Sequence, residues 1–84
     1  MKIEEISLHR ASIELKKQIM ELELELSIKR DYYQSISDMD AHTPSHLRFM
    51  KRNALMIEKE KLELAIKKID LEGIEQQLKN IQHE

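Results

Sequence analysis

The chain has 84 residues, of which 36% are charged and 40% hydrophobic, and its formal net charge is −2 at pH 7. This length allows one domain at most, and so small a net charge gives no global attraction to nucleic acid or to an anionic membrane. There is no cysteine, which excludes a thiol nucleophile and a disulfide-stabilised secreted scaffold and favours a reducing compartment.

The segment from about residue 3 to residue 37 is predicted to be one helix, because it contains neither glycine nor proline. Two sets of residues repeat every seven positions and together form the a and d positions of a coiled coil: Leu8, Leu15 and Leu22, then Ser12, Ile19, Leu26 and Tyr33. Other apolar residues lie roughly opposite at 100° per residue: Ile6, Ile13, Met20 and Leu24. The strict alternation from Glu21 to Ile28 resembles a strand, but glutamate is depleted in strands and no turn residues flank it.

A turn is predicted at about 38–43 and a second helix at about 44–82. Thr43 can cap the free N–H groups of that helix, and Pro44 is tolerated at its first position. Two heptad sets again occupy different faces: Ile57, Leu64, Leu71 and Leu78, then Leu55, Leu62 and Ile69. Gly73 interrupts the second helix at a cost of about 1 kcal/mol relative to alanine.

Two helices of similar length with one short connection predict a single all-α domain, 1–84, folded as an antiparallel, coiled-coil-like hairpin. If two residues face each other across the hairpin, their residue numbers should add up to about 83. This alignment places Ile19 near Leu64 and Leu26 near Ile57. Each helix has a second apolar stripe, so we expect two hairpins to dimerise into a four-helix bundle, or the stripe to bind another protein. The residues assigned to the dimer or partner stripe are Ile13, Ile19, Leu26, Ile57, Leu64, Leu71 and Leu78.

The hairpin tip has its own composition. All three aromatic residues lie there, and residues 29–52 carry a net charge of +2 although the whole chain carries −2. Such a tip could contact an acidic partner or a phosphate backbone, although it could equally be a core cap surrounded by solvated bases. The residues that could make tip contacts are Tyr32, Tyr33, Arg48, Phe49, Lys51 and Arg52.

Metal binding at the turn is a weaker hypothesis. Asp38, Asp40, His42 and His46 are suitable ligand types, but the calcium-loop pattern fails because threonine stands where its glycine belongs. The sequence contains no glycine-rich phosphate loop, and its glutamates alternate with lysines as in solvated ion pairs. We therefore expect no enzymatic activity, no metal and no cofactor.

The sequence thus predicts a small interaction module, such as an adaptor, a scaffold or an inhibitor of another protein, that acts as a homodimer. The alternative is a nucleic-acid-associated protein that uses the basic tip. The longest apolar run, residues 54–57, is far shorter than the ~20 residues of a membrane span, and no apolar leader follows Met1. We therefore expect a cytoplasmic protein that does not bind membranes.

Overall fold

The computed structural model describes residues 2–38 and 43–82, which form two helices. Helix α1 spans Ile3–Ser37 and helix α2 spans Pro44–Gln82. They pack against each other along a rod of 62 × 16 × 15 Å. The predicted all-α hairpin is confirmed, whereas its assembly into a four-helix bundle remains a prediction.

Local chemistry sets the helix ends. The backbone N–H of His46 donates to the Thr43 hydroxyl oxygen over 3.2 Å, so the predicted threonine cap is confirmed. At the other end of the turn, the backbone N–H of Asp38 donates to the Gln34 carbonyl over 3.1 Å and closes the last turn of α1. Glu4 and Glu5 lie in the first turn of α1, where the helix dipole favours negative charge.

The two helices meet along one seam whose residues follow each other in alternating steps of three and four. This spacing keeps one face of each helix toward its partner. Every seam residue is buried or half-buried. In α1 the seam consists of Glu5, Leu8, Ser12, Leu15, Ile19, Leu22, Leu26, Lys29, Tyr33 and Ile36; in α2 it consists of His46, Met50, Asn53, Ile57, Glu60, Leu64, Lys67, Leu71, Ile74, Leu78 and Ile81.

Polar residues occupy several seam positions and pair across it. The Lys29 ammonium donates a hydrogen bond to Glu60 Oε1, and this bond is the main reason that the pKa of Lys29 is raised. The second carboxylate oxygen of Glu60 is buried without a hydrogen-bond partner. Two to three helical turns further from the tip, Lys67 Nζ donates to Gln18 Oε1 over 2.9 Å. Polar pairs of this kind fix the alignment of two helices at some cost in stability.

The alignment of the helices differs from the expected one. The polar contacts across the seam join residue numbers that sum to 85, 89, 91 and 91, rather than 83. A sum of 86 pairs every seam position of α1 with a seam position of α2, for example Leu26 with Glu60 and Leu22 with Leu64. Helical side chains lean toward their own N-terminus, so long antiparallel side chains tend to meet at sums above that of their backbones, as three of the four contacts do, whereas the Lys67–Gln18 contact is just below 86. We therefore infer a backbone alignment near 86.

Helix α2 continues through Gly73 without a positive φ angle. Apart from its chain neighbours and the nearby backbone of α2 itself, a methyl group at this position would have no atom within 4 Å, so Gly73 does not serve a close approach of α1. Within the described ranges, neither helix is apolar enough over a sufficient length to cross a membrane.

Candidate interaction surfaces

The hairpin leaves more large apolar side chains in water than it buries. Five hydrophobic residues are buried and fourteen large hydrophobic residues are exposed within 2–38 and 43–82. No large side chain in these ranges is fully enclosed. Isolated exposed hydrophobic residues are normal on a protein surface, so the arrangement of the fourteen decides whether they have a function.

Apart from Ile3 at the helix start and Tyr32 near the tip, the exposed apolar residues of α1 form a continuous stripe that faces away from α2. Their exposed fractions range from 37% for Ile6 to 71% for Met20. At 100° per residue, they lie about 130–180° around the helix from the seam. The α1 outer stripe is defined as Ile6, Ile13, Met20, Leu24 and Ile28.

A shorter stripe lies on the outer side of α2. Its four members are 59–71% exposed and occupy residues 55–69. They also lie roughly opposite the seam, and Gly73 ends the stripe where a further apolar residue would fall. The α2 outer stripe is defined as Leu55, Leu62, Ile66 and Ile69.

The ion pairs show which side chains share one side of the hairpin. Lys16 pairs with Glu75 at 3.6 Å, and Lys68 pairs with Glu23 at 3.3 Å. All four residues directly follow a seam residue, so this position marks one side of the hairpin. Residues that directly precede a seam residue lie on the other side, where Gln18, Glu25 and Glu63 line one groove.

Three apolar side chains near the tip share that second side. Tyr32 is 57% exposed, and Phe49 and Met56 are each 43% exposed; all three directly precede a seam residue. Arg52 stands three residues after Phe49 and four before Met56, and this spacing places its side chain beside theirs. We call Tyr32, Phe49, Met56 and Arg52 the tip patch.

The six residues predicted for tip contact are therefore only partly on one surface. Tyr32, Phe49 and Arg52 belong to the tip patch, whereas Tyr33 is a half-buried seam residue. Arg48 and Lys51 are also exposed. Lys51 directly precedes Arg52 and therefore lies on another part of the helix surface, whereas Arg48 lies one turn before Arg52 and its guanidinium donates to the Ser45 hydroxyl over 3.5 Å. Met56 was missed as a tip residue, although its position just before Ile57 would have revealed it.

Most of the residues predicted for the dimer or partner stripe face the hairpin's own seam. Ile19, Leu26, Ile57 and Leu78 are buried, and Leu64 and Leu71 are half-buried. Ile13 is 67% exposed and belongs to the α1 outer stripe. The predicted set of seven therefore combines residues from two faces of the hairpin. The seam and the outer stripe have the same seven-residue repeat, so the repeat alone does not separate them.

The described surface offers no deep pocket. The two grooves along the rod have volumes of about 180 and 240 Å³, below the ~300–1,000 Å³ typical of small-molecule sites. No three potential metal ligands converge among the residues that the structure describes. Asp40 and His42 of the proposed metal hypothesis lie outside these residues.

Comparison of the chain with known protein families, with curated proteins and with solved structures finds no match. Its own surfaces are therefore the basis for a functional proposal.

Proposed function

We propose that the chain is a non-enzymatic protein–protein interaction module whose rigid hairpin presents the tip patch to another protein. The supporting observation is that fourteen large hydrophobic residues are exposed while five are buried in the described ranges, and that twelve of the fourteen, all but Ile3 and Leu47, are grouped on the two outer stripes and the tip patch. Leaving such stripes in water forgoes about 25 cal/mol per Å² of apolar area. Grouped exposed apolar surface is typical of a binding site.

The tip patch has the composition of a protein-binding hot spot. Aromatic residues, methionine and arginine are enriched at the centres of protein interfaces, and here Tyr32, Phe49, Met56 and Arg52 lie together. Arg52 forms no ion pair with the other described residues, so its charge is available to a partner carboxylate. An acidic segment with an apolar anchor would complement this patch.

Photo-crosslinking tests the proposal. A photo-reactive phenylalanine analogue replaces Phe49, and in a matched control it replaces exposed Gln76 far from the tip. We expect one discrete adduct with a second protein at position 49, its absence at position 76, and its loss when Arg52→Glu is added. Reconstitution with the purified partner should then show binding. Identical patterns at both positions, or adducts of the chain with itself alone, would exclude a partner at the tip.

Nucleic-acid binding by the tip is the second candidate. Arg30, Arg48, Lys51 and Arg52 are exposed, and exposed Tyr32 and Phe49 could stack on bases. Binding of a labelled duplex or single strand at low salt, weakening steeply as salt rises, would favour this function. The absence of binding at low salt would exclude it.

A further inference from the structure

The α1 outer stripe has a regular internal order. Starting at Ile6, its positions follow in alternating steps of four and three, as in a second coiled-coil seam on the back of the helix. Charged residues occupy three of these positions and one neighbouring position. The complete set, with Glu21 beside it, is Ile6, Arg10, Ile13, Lys17, Met20, Leu24, Ser27 and Asp31.

The charges on this stripe are separated along the helix and have no partner of their own. Arg10 and Lys17 lie in its N-terminal half, and Glu21 and Asp31 lie in its C-terminal half. All four are exposed, and none forms an ion pair within the described ranges. In contrast, Lys16 and Glu23 beside the inner seam are each paired with α2.

We propose that a second copy of this chain covers the α1 outer stripe, with the two α1 helices antiparallel about a two-fold axis. In an alignment whose residue numbers sum to 37, each of these eight regularly spaced positions meets another of the eight, for example Ile13 with Leu24 of the second copy, and Ile28 of the outer stripe lies beside the set. The axis then passes between residues 18 and 19. Since α1 spans Ile3–Ser37, this axis lies near the middle of the helix and almost the whole helix takes part.

The charges favour this orientation. The antiparallel pair brings Arg10 near Asp31 of the second copy and Lys17 near Glu21 of the second copy, at sums of 41 and 38. Both sums exceed the backbone sum of 37, as three of the four intramolecular polar contacts exceed 86. In a parallel pair, each charged residue would instead lie beside the same residue of the second copy, and these like charges would repel each other.

The contact area is sufficient for a reversible dimer. About 32 overlapping residues extend for roughly 48 Å, and a helix about 10 Å wide gives on the order of 500 Å² per copy. The total of about 1,000 Å² is at the lower end for specific interfaces, so dissociation in the micromolar range is expected. The shorter α2 outer stripe fits less well, because its use against α1 would be a head-to-tail contact that forms open chains.

The resulting dimer is a flat row of four helices rather than a bundle around a shared core. Its two hairpin tips lie at opposite ends, separated by about the 62 Å length of the rod. If the tip patch binds a partner, as the proposed function states, the dimer carries two such sites facing away from each other and can bridge two partners. The dimer itself does not depend on that function.

Sedimentation velocity of the full chain from about 1 μM to 1 mM tests the interface. As the concentration rises, the molar mass of the wild type should increase from that of the monomer, 10.0 kDa, to twice that mass. Ile13→Lys should remain monomeric, while Leu62→Lys on the α2 outer stripe should dimerise like the wild type. Circular dichroism establishes that both variants stay helical, as expected because both side chains are exposed. A monomeric wild type, masses beyond a dimer, or dissociation by Leu62→Lys alone would each overturn the proposal.

Charge reversal tests the orientation. Arg10→Glu and Asp31→Arg should each weaken self-association about tenfold, since each places two like-charged pairs in the dimer. An equimolar mixture of the two variants should dimerise like the wild type, because both charge pairs become attractive in the mixed dimer. If the mixture associates no better than either variant alone, the antiparallel arrangement is wrong. A monomeric wild type that still forms the adduct at position 49 would refute the dimer and leave the proposed function standing.

Discussion

Replacing Leu26 with alanine measures how much of the fold depends on the seam. Leu26 has the lowest exposed fraction of the hydrophobic residues, 4%. A buried Leu→Ala substitution costs about 2–5 kcal/mol. The hairpin is only two helices thick, so the space can open to solvent and we expect the lower half of that range. A chain of this length has an unfolding free energy of about 4–12 kcal/mol, so the loss should be a large fraction of the total.

Leu62→Ala is the matched control. The residue and the change are the same, Leu62 lies well inside α2, and it is 64% exposed on the side away from α1. We expect its unfolding free energy to change by no more than about 0.5 kcal/mol. It lies outside the proposed dimer interface, so this expectation should hold at every protein concentration.

Urea unfolding, followed by circular dichroism at 222 nm, gives the change in unfolding free energy for both Leu26→Ala and Leu62→Ala, provided that the m-value is unchanged. The measurement is made at about 1 μM or below, the end of the sedimentation series at which the wild type is expected to be a monomer. If Leu26→Ala and Leu62→Ala shift the midpoint equally, the seam described here is not the core of the molecule in solution. If only Leu62→Ala is destabilising, then in solution α2 packs against α1 through the face that contains Leu62 and not through the seam.

Three further substitutions test local features. Thr43→Ala should reduce the unfolding free energy by about 1 kcal/mol through loss of the cap, and Thr43→Ser should retain it; equal urea midpoints for Thr43→Ala and the wild type would contradict the cap. Gly73→Ala should raise the melting temperature and add about 0.5–1 kcal/mol, because the new methyl group meets nothing within 4 Å; a lower melting temperature would show that this surface is covered. Because the pKa of Lys29 is raised, chiefly by its hydrogen bond to Glu60, the pair contributes fully below the ordinary lysine pKa of 10.5 and its contribution is lost as pH rises through the raised pKa of the folded protein. Urea midpoints from pH 8 to 11.5 should therefore fall more steeply for the wild type than for Glu60→Gln, and parallel curves would show that the pair contributes nothing.

The fold could be predicted from the sequence because its signals are local and consistent. The seven-residue repeats, the lack of helix breakers and the Thr43–Pro44 start all indicate two long helices with one turn. Apolar repeats specify which residues can share a face. They do not specify the partner of that face, so the repeats predict that seam residues such as Ile19 and Leu64 pair across the hairpin but leave open whether the outer stripes bind a second copy or another protein.

Polar seam residues explain most of what the sequence did not reveal. Lys29, Glu60 and Lys67 stand at seam positions, but the sequence does not indicate which polar residue each of them contacts, so their pairing across the hairpin was not predicted. Their long side chains determine the alignment of the helices, and an alignment based on turn symmetry alone gave a sum of 83 in place of about 86. Met56 was missed for a related reason, because a residue beside the seam has no repeat of its own.

The two outer stripes also constrain the shape of any assembly. In a four-helix bundle, each helix contacts two neighbours that lie about 90° apart around its axis. Here the seam and the outer stripe of α1 lie about 130–180° apart, which suits helices arranged in a row. Helix α1 would then contact α2 on one face and a second copy on the other. Because the second copy binds only the folded hairpin, the unfolding free energy should rise with protein concentration once the dimer forms. The weakly apolar inner seam would thus be stabilised by the same contact that places the two tips at opposite ends.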